Sequence, residues 1–371
     1  MNVNFWDHIL EGRSTVICLG AGGVGKTTIA AAIAFKEAES GRRVACLTID
    51  PARRLADALG VASVDSDGRL TDISHVLSGD SFNKKNNKGR LFFGMLDSKA
   101  TFDKMVRDKA ASLERAEKIL NNRLYKYVSG SLSGMQEYMA LERLSELRED
   151  DRFDLIVLDT PPSGNAESFF TAPGRIMTAL DGPLVKMMRG MYNAQKNRFN
   201  ILGRWSFSLF NALSKITGAA LLDEIMDFID ALSELFGNFF ERALNIENLL
   251  KSRDVSVVMV TTPDKPTVSD ADNLKLFVEK LGYHLDAIIF NRCSYPRVKH
   301  KIPDELCSGV KESIEKINTG WNNTFTDESA VINAVKERAG FDILVALIPL
   351  LPFYSDKIEF LKSVVLRLKD V

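Results

Sequence analysis

The stretch STVICLGAGGVGKTTIAAAIAFKEAES, Ser14 to Ser40, decides the fold. An apolar run of strand type leads into a glycine-rich turn, and an alanine-rich, helix-forming segment follows at once. The turn, Gly20 to Thr28, fits G-x-x-x-x-G-K-[ST], with Gly20, Gly25, Lys26 and Thr27 in place. Gly20, Gly22, Gly23, Val24, Gly25, Lys26, Thr27 and Thr28 are therefore expected to cradle the phosphates of ATP, the glycines letting backbone N–H groups wrap them. The helix N-terminus favours the negative charge, Lys26 reaches the β- and γ-phosphates, and Thr27 ligates Mg²⁺. The motif says nucleotide; it does not say what hydrolysis drives.

Outward from this loop, short β-branched runs alternate with longer stretches of helical spacing. STVICLG, RRVACLTID, RLFFGML, FDLIVLD, SVVMVTT, LDAIIFN and DILVALIP read as strands, several apolar throughout, as strands covered on both faces are. Strands interleaved with helices imply right-handed crossovers and a doubly wound, mostly parallel α/β sheet. Two stretches break the alternation, Asp97 to Asp150 and Gly174 to Ser252, the latter with Leu222, Ile225, Met226, Ile229, Leu232, Leu235, Phe236, Phe239 and Ala243 at helical spacing. The expectation is one nucleotide-binding domain over 1–371 with an α-helical subdomain inserted at about 97–150 and 174–252. The polar SFNKKNNKGR, Ser81 to Arg90, reads as a solvated loop, and no internal repeat is visible.

Composition narrows the function classes. Lys plus Arg numbers 48 against 49 Asp plus Glu, so no global positive field draws nucleic acid. The 4 cysteines, Cys18, Cys46, Cys293 and Cys307, form no C-x-x-C pair and read as thiols of a reducing compartment. The N-terminus MNVNFWDHILEGR lacks the basic start and apolar stretch of a signal peptide, and no segment reaches the roughly 18 uncharged apolar residues of a membrane span. A cytoplasmic location is expected.

Two acids complete the motif chemistry. A strand ending in Asp50 delivers a carboxylate to the sheet's carboxyl edge, where it can orient an attacking water. In FDLIVLDTPPSG an apolar strand closes in Asp159, the pattern of a magnesium-side carboxylate, and Gly164 is placed to flex when the γ-phosphate leaves.

GAGGVGKTT, TIDPARRLADALG, SGSLSGMQEYMALERL, DLIVLDTPPSGN and VALIPLLPF, in this order across nearly the whole chain, resemble the arsenical-pump (ArsA) ATPase family, which includes the factor that targets tail-anchored membrane proteins. The resemblance implies an ATP-driven dimer, closed with ATP and open after hydrolysis, of the larger class that holds the nitrogenase iron protein and the division-site regulator MinD. It gives Asp50 the water-activating role in a first switch and places Asp159 to Gly164 in a second. It also implies that Asn291 contacts adenine and that Pro349 begins the loop covering the base.

The sequence departs from that pattern at Ala21, where most of the family carries a lysine that crosses to the partner's phosphates. A charge supplied in trans to phosphoryl transfer contributes about 10³ to 10⁵ in rate, by analogy with arginine fingers. Arg53 or Arg54 can supply it, a lysine-bearing related chain can pair as a heterodimer, or the chain is a slow switch. The cysteines are too scattered for an arsenite site, which needs clustered thiolates, and without C-x-x-C the zinc clasp of the eukaryotic targeting factors is missing. Met177, Met187, Met188 and Met191 near Leu180 and Leu184, followed by Phe199, Trp205, Phe207 and Phe210, form either a groove for a hydrophobic helix or the core between inserted helices. Three functions remain: a switch serving a hydrophobic or membrane-protein client, the energising subunit of an anion efflux system, and a regulatory binding module.

Overall fold

In chain order the elements are α1 (Phe5–Leu10), β1 (Thr15–Leu19), α2 (Lys26–Glu39), β2 (Arg43–Thr48), α3 (Arg54–Ala58), β3 (Thr71–Asp72), β4 (Arg90–Met95), α4 (Ser98–Lys109), α5 (Leu113–Asn121) and α6 (Met135–Arg148). There follow β5 (Leu155–Asp159), α7 (Ser163–Asp181), α8 (Phe239–Lys251), β6 (Val255–Thr261), α9 (Lys265–Lys280), β7 (Leu285–Cys293), α10 (Ser308–Ala339), β8 (Leu344–Pro349) and α11 (Lys357–Lys369). The computed structural model describes residues 4–49, 54–60, 70–77, 89–110, 112–122, 125–126, 135–160, 163–181, 239–295, 307–340, 342–352 and 354–369.

One 8-stranded sheet runs in the order β3-β4-β2-β5-β1-β6-β7-β8. Neighbours are parallel throughout except β3, which lies antiparallel on β4. The fold is α/β with a mostly parallel sheet, as the alternation of strands and helices predicts. Every strand expected from the sequence is present; β3 is not foreseen, because a two-residue strand carries no periodicity.

Both faces of the sheet are covered, which is why its strands are apolar on consecutive residues. Val16, Cys18, Val44, Cys46, Val157, Val258, Val260 and Ile289 join the core packed against α1, α2 and α11. The alternate set, Ile17, Leu19, Ala45, Leu47, Leu158, Met259, Ile288 and Phe290, is buried as well. Helix α2 is buried on nearly all sides, and its alanines let it sit close to the sheet. Its buried Glu37 is neutralised by Lys36 at 2.7 Å and Arg42 at 3.0 Å.

The chain divides into two compact units, Met1–Met95 with Leu147–Glu167 and Lys251–Val371, and Leu96–Glu146 with Ser168–Leu250. The first contains the whole sheet. In the second, Phe102, Val106, Ala116, Ile119 and Tyr125 are buried, and the carboxylate of Glu142 accepts hydrogen bonds from the Tyr138 hydroxyl and from Arg242 Nε at 3.0 Å. Helix α7 begins before Gly174 and continues through Pro173, earlier than helical spacing suggests. Met177 is half-buried on it; Met187, Met188, Met191, Phe199, Trp205, Phe207 and Phe210 lie outside the described residues, as does most of the Ser81 to Arg90 loop. Among the described residues no helix is long and apolar enough to cross a membrane.

Candidate functional site

The glycine loop lies where β1, the strand at which the sheet order reverses, hands the chain to α2. Gly20 has φ 147°, and a Cβ there would stand 2.1 Å from the Val260 carbonyl oxygen, so the loop starts flush against β6. Val24, 2% exposed, plugs the loop into the core, whereas Gly22 and Gly23 face solvent. Gly25 has φ 102° and caps α2 without any side-chain hydrogen bond. Gly25 thus sets no side chain in front of the first turn of α2, which is the arrangement a helix offers to an anion.

Lys26 and Thr27 open α2. The Lys26 side chain is buried, and its Nζ donates to the Ala21 carbonyl at 2.9 Å. Position 21 therefore takes part through its backbone. Thr27 Oγ1 donates to Asp159 Oδ2 at 2.8 Å, and Thr48 Oγ1 donates to the same oxygen at 3.3 Å. Asp159 is 1% exposed at the end of β5, its Cα in register with Cys18 on one side and Thr48 on the other. Burial and the Asp159 charge push the Cys18 and Cys46 thiols far above their usual range, so both stay protonated, even though Lys26 pulls Cys18 the other way. A carboxylate and a hydroxyl this close are the hard oxygen donors that Mg²⁺ accepts, with phosphates and water filling its other positions. The residues present fit that ion.

Asn291, at the end of β7, donates from Nδ2 to the Val24 carbonyl at 2.8 Å and accepts the Arg292 N–H at 3.0 Å. It supports the loop from the side; a Cβ on Gly25 would lie 2.2 Å from this amide nitrogen. Pro349 closes β8 opposite Cys293, and the Leu350 N–H donates to the Cys293 carbonyl at 2.9 Å. Pro352, three residues further on, borders a cavity. That cavity, about 430 Å³, is lined by Thr28 together with Asp57, Ala58, Pro352, Tyr354, Lys357, Phe360 and Leu361. Nothing in the sequence pattern marks Tyr354 or Lys357, because their neighbours come from α2 and α3.

Asp50 and Arg53 lie outside the described residues, and Arg54 is the first residue of α3. Ile49, which precedes Asp50, donates its N–H to the Asp159 carbonyl at 3.3 Å. Gly164 falls in the first turn of α7.

A parallel sheet whose switch-point strand delivers G-x-x-x-x-G-K-T to a helix N-terminus defines the fold of the P-loop nucleoside triphosphatases. Residues 14–345 match the family model for anion-transporting ATPases, and the chain belongs to this ArsA ATPase family. It is 24% identical over 307 residues to the "Putative arsenical pump-driving ATPase 1" of Aquifex aeolicus (strain VF5), covering 80% of this chain and 67% of that protein. It is likewise 24% identical over 311 residues to the ATPase get3 of Aspergillus terreus (strain NIH 2624 / FGSC A1156), covering 81% of each. Membership of a family of ATPases implies nucleotide binding.

Proposed function

We propose that this chain binds Mg²⁺-ATP and hydrolyses it as a dimeric switch, coupling its nucleotide state to capture or delivery of a hydrophobic or membrane-protein client in the cytoplasm. The observation that carries the proposal is the pairing of Thr27 with Asp159 at 2.8 Å beside the start of α2. In this reading the loop N–H groups and Lys26 bind the phosphates, Lys26 exchanging the Ala21 carbonyl for a phosphate oxygen. Thr27 and Asp159 hold Mg²⁺, which supplies charge neutralisation at the transferred phosphoryl group. Asp50 orients the water and takes its proton, and Asn291 and Pro349 border the base. Residues 1–371 form a single ATPase domain with the helical insertion at about 97–150 and 174–252, and the methionine-rich stretch serves the client.

With alanine at position 21, the missing cross-dimer charge comes from Arg53 or Arg54, or from a lysine-bearing related chain in a heterodimer. Turnover per chain is expected to rise with protein concentration if the chain builds its own catalytic dimer. Phosphate release measured across a concentration series checks this, and turnover that stays at the level of Asp50→Asn at full ATP occupancy would refute a self-made catalytic dimer.

The names of the relatives raise a second reading, the energising subunit of an anion (arsenite) efflux system. The thiols argue against direct arsenite capture: Cys18, Cys46 and Cys293 are buried, and burial pushes the Cys293 thiol up to about 12. The third reading, an ATP-dependent regulatory module, predicts no stimulation at all. A hydrophobic helical peptide is expected to change turnover several-fold, while arsenite and antimonite leave it unchanged. Stimulation by the oxyanions alone would reverse the order of these readings.

A further inference from the structure

Arg292 is the one non-glycine residue with a positive φ, 59°, among the described residues. It sits in β7 where the register with β8 shifts between Phe290 and Cys293. An L-residue in this conformation crowds its own Cβ against the following carbonyl, a cost that glycine avoids. Asparagine and aspartate tolerate it better than arginine, so the backbone alone gives no reason for an arginine here.

The strain is held from several directions. The Arg292 N–H donates to Asn291 Oδ1 at 3.0 Å, and Asn291 Nδ2 is in turn bonded to Val24 in the phosphate loop. On the other side, Glu328 of α10 accepts from the Ser294 N–H and from its hydroxyl at 3.1 Å, and the Cys293 carbonyl accepts from Leu350. Such over-determination keeps a costly conformer in place, and costly conformers cluster at ligand clamps. The Arg292 side chain is exposed, and among the described residues no carboxylate or carbonyl pairs with its guanidinium.

Position gives the ligand. Sheet order places β7 two strands from β1, roughly 10 Å away at the usual strand spacing, on the carboxyl edge where the loop lies. A nucleotide whose phosphates rest on the loop spans about that separation to its base. Asn291, which precedes Arg292, spends one amide hydrogen on the Val24 carbonyl and one Oδ1 lone pair on the Arg292 N–H, and the exposed guanidinium beside it is the cation at this edge. Guanidinium planes stack on aromatic rings.

We propose that Arg292 is a specificity-determining contact to the nucleoside end of the bound nucleotide, its guanidinium lying on the purine while Asn291 buttresses the loop. This rests on the nucleotide-binding reading above. The test is calorimetric titration of the full chain and of Arg292→Gly and Arg292→Lys with ATP, ADP and inorganic tripolyphosphate.

Arg292→Gly is expected to weaken ATP and ADP alike by about tenfold and to leave tripolyphosphate within about twofold, with an unfolding midpoint equal to or above that of the parent. Arg292→Lys, which keeps the charge and loses the plane, is expected to recover only part of the ATP affinity. Unchanged ATP and ADP affinities in Arg292→Gly would overturn the assignment. An equal loss for tripolyphosphate would do the same, since the arginine would then serve the phosphates. No binding of any of the three by the parent chain would refute the nucleotide reading itself, a result distinct from either.

Discussion

Gly20→Ala is expected to destabilise the sheet-bearing unit by about 3 kcal/mol, combining backbone strain with overpacking. The new methyl would meet the Val260 carbonyl oxygen at 2.1 Å, a backbone atom of β6 that cannot rotate aside. Relief requires β1 and β6 to part at Leu19 and Met259, where they pair in register, and the phosphate loop moves with them. Urea unfolding followed by circular dichroism measures the loss. Gly174→Ala is the control, since a Cβ there meets nothing within 4 Å and alanine favours the helix. A Gly20→Ala midpoint equal to that of the parent would contradict the packing described for the loop.

Asp50→Asn is expected to lower ATP turnover by about 10² to 10⁴ while leaving ATP affinity within a few-fold. The amide is nearly the same size as the carboxylate but cannot take a proton from water. Ile49, which follows β2 and precedes Asp50 in sequence, donates its N–H to the carbonyl of Asp159, the proposed magnesium ligand. Steady-state phosphate release, paired with calorimetric ATP binding, separates the two effects. Turnover equal to that of the parent would remove Asp50 from the mechanism, and a parallel loss of binding would make it a ligand contact.

Much of this was legible from local pattern. The loop announces itself because eight consecutive residues, Gly20 to Thr27, carry both the motif and its context, and the strands announce themselves because burial on both faces makes them continuously apolar. What spacing does not carry is partnership. That Asn291 supports Val24 follows from a hydrogen bond between residues 267 apart, which no periodicity encodes. For the same reason the cavity beside Pro352 carries no pattern of its own: its walls come from α2, α3 and α11 as well as its own loop. The αL arginine was equally invisible, since only a backbone angle distinguishes Arg292 from any exposed strand-end cation.

The side support of the phosphate loop has a consequence for biogenesis. The loop is made more than 230 residues before its abutments, Val260 and Asn291. β1 itself finds its neighbours only in β5 and β6. A nascent chain therefore carries the whole motif long before it has a site, and contacts of such sequence separation form slowly. The nucleotide can act as a ligand of the finished protein, stabilising it once β7 has docked, but has nothing to hold before then.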